Sequence, residues 1–196
     1  MNAGGYYCSE IMRMAMPALE EIRPLRRAEY DQLVELGAFH GEKIELLEGW
    51  LVEMSPIGPP HSSTVQKLTA LLVPALVGRA GVRIQLPYAA SESSEPEPDV
   101  AVVPLADYDT AHPSQAYLVI EVAQSSLTRD RGLKRSIYAR SGVPEYWIVN
   151  LVDKSIEVYS NPADGDYTSN RCVAHSESVS PSRFPEISLR VASIVK

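Results

Sequence analysis

Residues 117–150 read YLVIEVAQSSLTRDRGLKRSIYARSGVPEYWIVN, and this stretch decides the fold. Its first six residues, Tyr117-Leu118-Val119-Ile120-Glu121-Val122, are apolar apart from Glu121 and rich in β-branched side chains, with no internal Gly or Pro, so they read as a buried interior strand. A helix over Arg131 to Ser141 follows, with Asp130 as its N-cap and Gly142 closing it, and then a strand over Tyr146 to Asn150. Strand, helix, strand in that order is a crossover unit, right-handed by the usual rule, and requires a parallel pair in the sheet.

Upstream, Asp99-Val100-Ala101-Val102-Val103 has the same buried-strand character. If Val103 lies beside Tyr117 in an antiparallel pair, Asp99 falls opposite Glu121. Directly opposed residues share a face. Two carboxylates held that close repel each other unless a proton or a cation lies between them, and a hard cation such as Mg²⁺ suits an oxygen pair. Lys134, on the helix leaving the strand end that carries Glu121, brings a positive charge towards them. It could orient or deprotonate a water, or offset the charge of a phosphate undergoing hydrolysis. Read singly, each of the three has a plainer role: an acid at a strand start, an edge carboxylate, a surface charge. Their coincidence favours the metal-site reading.

Working outward, Leu25 to Leu36 predicts an amphipathic helix with Leu25, Ala28, Leu33 and Leu36 on its apolar stripe and Gly37 at its end. Ile44 to Met54 predicts a hairpin turning at Glu48-Gly49. Glu45 in that hairpin is a further candidate metal ligand, and equally an exposed strand residue. A helix from about His61 to Arg79 carries Val65, Leu68, Leu72 and Leu76 on one stripe, with Pro74 expected to kink or shorten it. His61 at its start could approach the site or a substrate phosphate, although a cap or a surface hydrogen bond is the simpler use of such a histidine. Val82 to Tyr88 reads as a strand and Ser91 to Pro98 as a loop delivering Asp99. Ile156 to Tyr159 is a strand after an Asp153-Lys154 turn, and from Asn161 the chain reads as irregular with short strands such as Ile187 to Val191. Residues 1–24 read as an N-terminal extension, with Met12 to Met16 a short helix or a ragged end, and residues 25–196 as one domain of mixed-sheet α/β (α+β) class.

Composition sets the outer limits. The 196 residues are 45% hydrophobic and 22% charged, an ordinary globular balance. No apolar run approaches a membrane span and no secretory leader precedes a cleavage site, so the expectation is a cytoplasmic protein. Cys8 and Cys172 lie far apart without metal-ligand spacing, and are expected to be buried or incidental thiols. A net charge of −7 and a pI near 5.1 argue against coating nucleic acid through overall charge. A local patch remains: Arg129, Arg131, Lys134, Arg135 and Arg140 gather around one helix and could meet phosphates, or form a solvated face. Tyr146-Trp147 is expected to pack on the sheet rather than stack on a base.

Several blocks together resemble a known family. Ile44-Glu45-Leu46-Leu47-Glu48-Gly49, Met54-Ser55-Pro56 with His61, Glu97-Pro98-Asp99-Val100, Val119-Ile120-Glu121-Val122, Asp130 with Lys134 and Tyr138-Ala139, and Gly142-Val143-Pro144-Glu145-Tyr146-Trp147 resemble the Uma-type restriction endonucleases of the PD-(D/E)XK nuclease superfamily. The likeness runs from about Leu25 to Tyr167. It implies a restriction-endonuclease-like fold: a mixed β-sheet flanked by helices, with an extra N-terminal helix and β-hairpin. It also implies Asp99 and Glu121 as metal ligands, Lys134 as the catalytic lysine, and a Mg²⁺- or Mn²⁺-dependent endonuclease acting on DNA. Tyr138, one turn beyond Lys134, joins His61 as a candidate site-lining residue. The superfamily pattern places its lysine two residues after the glutamate; this chain has Ala123 there, so Lys134 is a displaced lysine. Two other functions are open: a non-catalytic binding protein on the same fold, as a homodimer, or a metal-dependent hydrolase of small phosphate esters.

Overall fold

The computed structural model describes residues 22–196. Met12 to Met16 and Cys8 lie outside the described residues. The first helix, α1, is Arg27–Glu35, and Gly37 follows it at φ +73°. The expected apolar stripe is not its buried face: Leu36 and Ala28 are exposed, Leu33 is half-buried, and Tyr30 alone is buried. Tyr30 anchors the helix instead, stacking on Phe39 and donating its hydroxyl to the Ile44 carbonyl.

The hairpin forms as the sequence indicates, β1 (Ile44–Leu47) against β2 (Trp50–Glu53). Glu48 (φ 54°) and Gly49 (φ 80°) make a turn with positive φ at both central residues, the geometry whose twist matches the flanking strands. Helix α2 (Pro59–Leu76) begins with two prolines, tolerated because a first-turn N–H has no partner to lose. It runs through Pro74 and stops two residues later.

Six strands form the main sheet in the order β3-β4-β5-β6-β7-β8. They are β3 (Gly81–Ile84), β4 (Val100–Val103), β5 (Leu118–Ala123), β6 (Glu145–Asn150), β7 (Ser155–Ala163) and β8 (Asp166–Val173). Every neighbouring pair is antiparallel except β5 and β6, which run parallel as the crossover demands. The β4–β5 register pairs Val100 with Ile120 and Val102 with Leu118, so Asp99, one residue before β4, stands across from Glu121. Strand β3 is shorter than expected because Gln85 takes φ +50° and turns the chain out of the sheet.

The alternation of β4 and β5 splits the core. Val100, Val102, Leu118, Ile120 and Val122 face the buried stripe Val65, Leu68, Leu72 and Leu76 of α2. Ala101, Val103, Val119 and Ala123 face the opposite side, where Tyr138, Tyr146, Tyr159 and Tyr167 pack together. Tyr146 and Trp147 are both fully buried.

That second face is covered by a helical run that starts before Arg131. It comprises α3 (Leu127–Arg129), a π-helical segment (Asp130–Lys134) and α4 (Arg135–Arg140). Asp130 is therefore inside the run and not its N-cap, although Gly142 (φ 76°) closes it as read. Beyond Asn161 the chain is more regular than expected. β7 and β8 form a long hairpin at Asp164-Gly165, both at positive φ. The last segment is β9 (Ser178–Val179) paired with β10 (Leu189–Arg190), then α5 (Val191–Ile194), so the strand expected over Ile187 to Val191 shrinks to two residues. Cys172 is exposed rather than buried. Among the described residues no helix is long and apolar enough to cross a membrane.

Candidate functional site

Where the hairpin, the start of α2, the β4–β5 strand ends and the π-helical segment meet, they enclose a cavity of about 90 Å³. Asp99, Glu121, Lys134, Glu45 and His61 all line it. Tyr138 reaches the same cluster from behind, through Glu121.

Asp99 is held on both oxygens. Its Oδ2 accepts the backbone N–H of Val122 at 2.8 Å and lies 3.0 Å from His61 Nε2, while Oδ1 accepts Gln85 Nε2 at 3.1 Å. Nδ1 of the same imidazole is buried with no partner among the described residues. The positive φ that ends β3 at Gln85 is what carries this side chain to Asp99.

Glu121 is buried in β5, and Oε1 accepts both Lys134 Nζ at 3.0 Å and the Tyr138 hydroxyl at 2.7 Å. Lys134 Nζ also contacts Glu45 Oε2 at 2.9 Å, and that oxygen accepts the Glu97 N–H at 3.2 Å. Glu45 is thus a buried partner of the lysine, not an exposed strand residue. The π-helical segment accounts for the convergence. In a regular α-helix, Asp130, Lys134 and Tyr138, spaced by four, would drift around the axis. A wider turn over the first four positions keeps all three on the sheet side.

Electrostatics follow from burial. Desolvation pushes the Glu121 carboxyl up to about 8, against the pull of Lys134. Burial works against the Lys134 ammonium too, but Glu121, Glu45 and Asp130 outweigh it and hold the lysine charged, above its ordinary value. Burial likewise raises Asp130, whose Oδ2 accepts the Ser126 hydroxyl at 2.6 Å. Burial, and then the neighbouring Glu121, raises Tyr138 far above the phenol range, so it remains a donor.

The chain's matches to known proteins bear on its family and fold. A family model described as "Putative restriction endonuclease", Uma2, matches residues 27–192. The chain belongs to the Uma2 family. A crystal structure of "a putative nuclease belonging to DUF820 from Anabaena variabilis ATCC 29413" superposes with a TM-score of 0.62 at 14% identity, over 77% of this chain and 88% of that one. At that identity the likeness establishes the shared fold. No curated protein matches. The Uma2 assignment and the six-stranded mixed sheet bear out the nuclease-like fold, and membership supports a nuclease at the coarse level.

Within this Uma2 chain, the sequence expectations that converge on the cavity are Asp99, Glu121, Lys134, Glu45 and His61; Tyr138, expected to line the site, stands behind Glu121 instead. The basic patch divides: Arg129 and Lys134 line the cavity, and the other three arginines do not. Arg131 pairs with Glu157, Arg135 with Asp166 and Arg140 with Glu48, all away from the acids. Sequence reasoning missed Gln85, hidden inside an expected strand, and Glu97, present in the Glu97-Pro98-Asp99 block but given no role. It also placed Asp130 at a helix cap. The spacing of four to Lys134 was the available signal for that residue.

Among the described residues no group of three or more His, Cys, Asp or Glu side chains is arranged to hold a metal ion. The donor chemistry still fits a Mg²⁺-like cation, which takes one or two carboxylates and completes its shell with water and substrate oxygens. Asp99 and Glu121 form such a pair at the cavity wall.

Proposed function

We propose that this chain is a Mg²⁺- or Mn²⁺-dependent endonuclease hydrolysing DNA phosphodiester bonds. The observation that carries the reading is the buried constellation of Asp99, Glu121 and Lys134 around one cavity, with the lysine kept charged. Asp99 and Glu121 would hold the cation. When bound, it would supply Lewis-acid polarisation of the phosphate and a more acidic water.

The remaining work falls to the chain's own groups. A lysine held above its ordinary pKa is a poor base, so Lys134 acts as a hydrogen-bond donor and a fixed positive charge. It stabilises the extra negative charge of the phosphate in the transition state. Glu45 and the Glu97 N–H fix where that ammonium sits. Tyr138 locks one oxygen of Glu121, leaving the other for the cation. His61 and Gln85 orient Asp99. Preorganised groups of this kind need no rearrangement as charge develops.

Purified protein should nick or cut DNA in Mg²⁺ or Mn²⁺, and Asp99→Ala should lose at least 100-fold in rate, about the loss expected when one such electrostatic group is removed. Unchanged cleavage by that variant would sink the assignment. One observation favours a second reading, a binding protein that does not turn over. The Lys134 ammonium already bridges Glu45 and Glu121, offsetting the repulsion that would otherwise call for a cation. Calorimetric titration separates the two: no heat with Mg²⁺ or Mn²⁺, and no DNA retention at low salt, selects the second.

A further inference from the structure

Arg129 differs from every other cation of the helical run. Arg131, Lys134, Arg135 and Arg140 each have a carboxylate within 3.0 Å. Arg129 instead donates Nη1–H to the Glu53 carbonyl and Nη2–H to Ser55 Oγ, both at 3.1 Å. Both acceptors are uncharged, and among the described residues Arg129 makes no ion pair within 4.0 Å, although its charge acts at longer range on neighbouring Asp130. A guanidinium carries five N–H donors, and these two bonds use two of them.

Its position gives that charge a purpose. Arg129 lines the same cavity as Asp99, Glu121 and Lys134. Five carboxylates line that cavity, and of its two full cations Lys134 has two of its three donors on Glu45 and Glu121, leaving one for a substrate oxygen. An anionic substrate approaching five acids needs a positive group with unused donors. Beside Arg129 are Gln124, Ser125 and Ser126, the polar loop leaving β5, with Gln124 and Ser125 exposed at the mouth. The two bonds to the end of the hairpin hold the guanidinium fork in place, so little side-chain entropy is lost on engaging an oxyanion.

We propose that Arg129 is the phosphate anchor of this cavity, binding a backbone phosphate of the DNA strand and fixing its register relative to Asp99 and Glu121. The assignment rests on the nuclease reading for its substrate class. Arg129 acts on binding, and its planar fork can meet two phosphate oxygens at once.

The test is binding of a short fluorescent DNA duplex, by anisotropy across a salt series, in EDTA and again in Ca²⁺. Arg129→Gln should weaken binding about tenfold and reduce the slope of log K against log salt by about one, as loss of a single phosphate contact requires. Arg129→Lys should keep the slope and recover part of the affinity. Arg131→Gln, whose arginine is paired to Glu157 outside the cavity, should change affinity less than twofold. If Arg129 serves only to tie the hairpin to the helix, Gln and Lys variants will lose equally and the slope will not move; that result overturns the anchor. So does wild-type affinity in Arg129→Gln, or a wild-type protein that binds no duplex at all. A wild-type protein that cuts nothing, yet loses duplex binding through Arg129→Gln, keeps the anchor and overturns the nuclease reading.

Discussion

Lys134 shows how far single residues determine this site. Its ammonium lies between two buried carboxylates, at 2.9 Å from Glu45 and 3.0 Å from Glu121. Replacing it by Met leaves both acids buried without their counter-charge, a change that typically costs about 3 kcal/mol or more. Urea unfolding at neutral pH should show that loss, and a Lys134→Met protein within 1 kcal/mol of wild type, by the same measure, would contradict the bridging role. Tyr138→Phe removes one donor from Glu121 and leaves the lysine in place. It should destabilise by roughly 1–2 kcal/mol and lower cleavage by less than tenfold. The pairing of Asp99 with Glu121 was readable in the sequence because an antiparallel pair with Val103 beside Tyr117 puts them opposite each other, the register that β4 and β5 adopt. The partners of Lys134 were not: Glu45 arrives from a hairpin whose docking depends on tertiary contacts. Gln85 was hidden because a positive φ at a non-glycine residue leaves no mark in hydrophobic pattern.

At the scale of elements, the hairpin turn and the loop before Asp99 are the parts most exposed to test. Gly49 has φ +80°, and a Cβ there would overlap Pro24, so Gly49→Ala carries both backbone strain and a clash. A loss of roughly 2 kcal/mol in chemical denaturation is expected, together with weaker cleavage because β1 carries Glu45. In the loop, the Glu95 backbone bonds Leu46 in both directions while its Oε2 is buried without a hydrogen-bond partner. Burial, then Asp31, raises its carboxyl from 4.5 to about 7, with Arg27 3.8 Å away opposing. A folded-state pKa above the unfolded one means the folded protein binds more protons. Stability from this group is therefore full below pH 4.5 and lost as pH rises through 7. Glu95→Gln should flatten the stability profile across that window and add about 1–2 kcal/mol at pH 8; parallel profiles for variant and wild type would refute it. Elements with strong local signals were legible, as at Glu48-Gly49. Asp164-Gly165 carries the same turn signal, but the strand after it, β8, is polar and exposed over most of its length and so lacks the apolar alternation that marks a strand. The helical run was placed too late, since a π-helical segment breaks the 3.6-residue period that marks a helix start.

At the scale of the whole molecule, the two-faced core was legible because β4 and β5 are apolar on both faces at every position but Glu121, as a sheet covered on both sides requires. How the layers bring a hairpin, two strand ends and a helical run to one cavity was not, since that depends on packing between distant segments. The consequence is a site whose ligand should stabilise the entire fold. Of the acids that would hold a cation, Glu121 sits in β5 and Asp99 immediately before the neighbouring β4, and unfolding disperses them. A cation bound only by the native state stabilises by RT ln(1 + [L]/Kd), about 2.7 kcal/mol at one hundred times Kd. For a domain of this size that corresponds to a rise in Tm of roughly 5–10 °C. Mn²⁺ should produce such a shift in the wild-type protein, growing logarithmically with concentration. Asp99→Ala should show none, while Arg131→Gln, whose charge lies outside the cavity, should shift like wild type. Equal shifts in all three proteins would mean that the cation binds elsewhere, and would remove Asp99 from the ligand set even if the protein cleaves DNA.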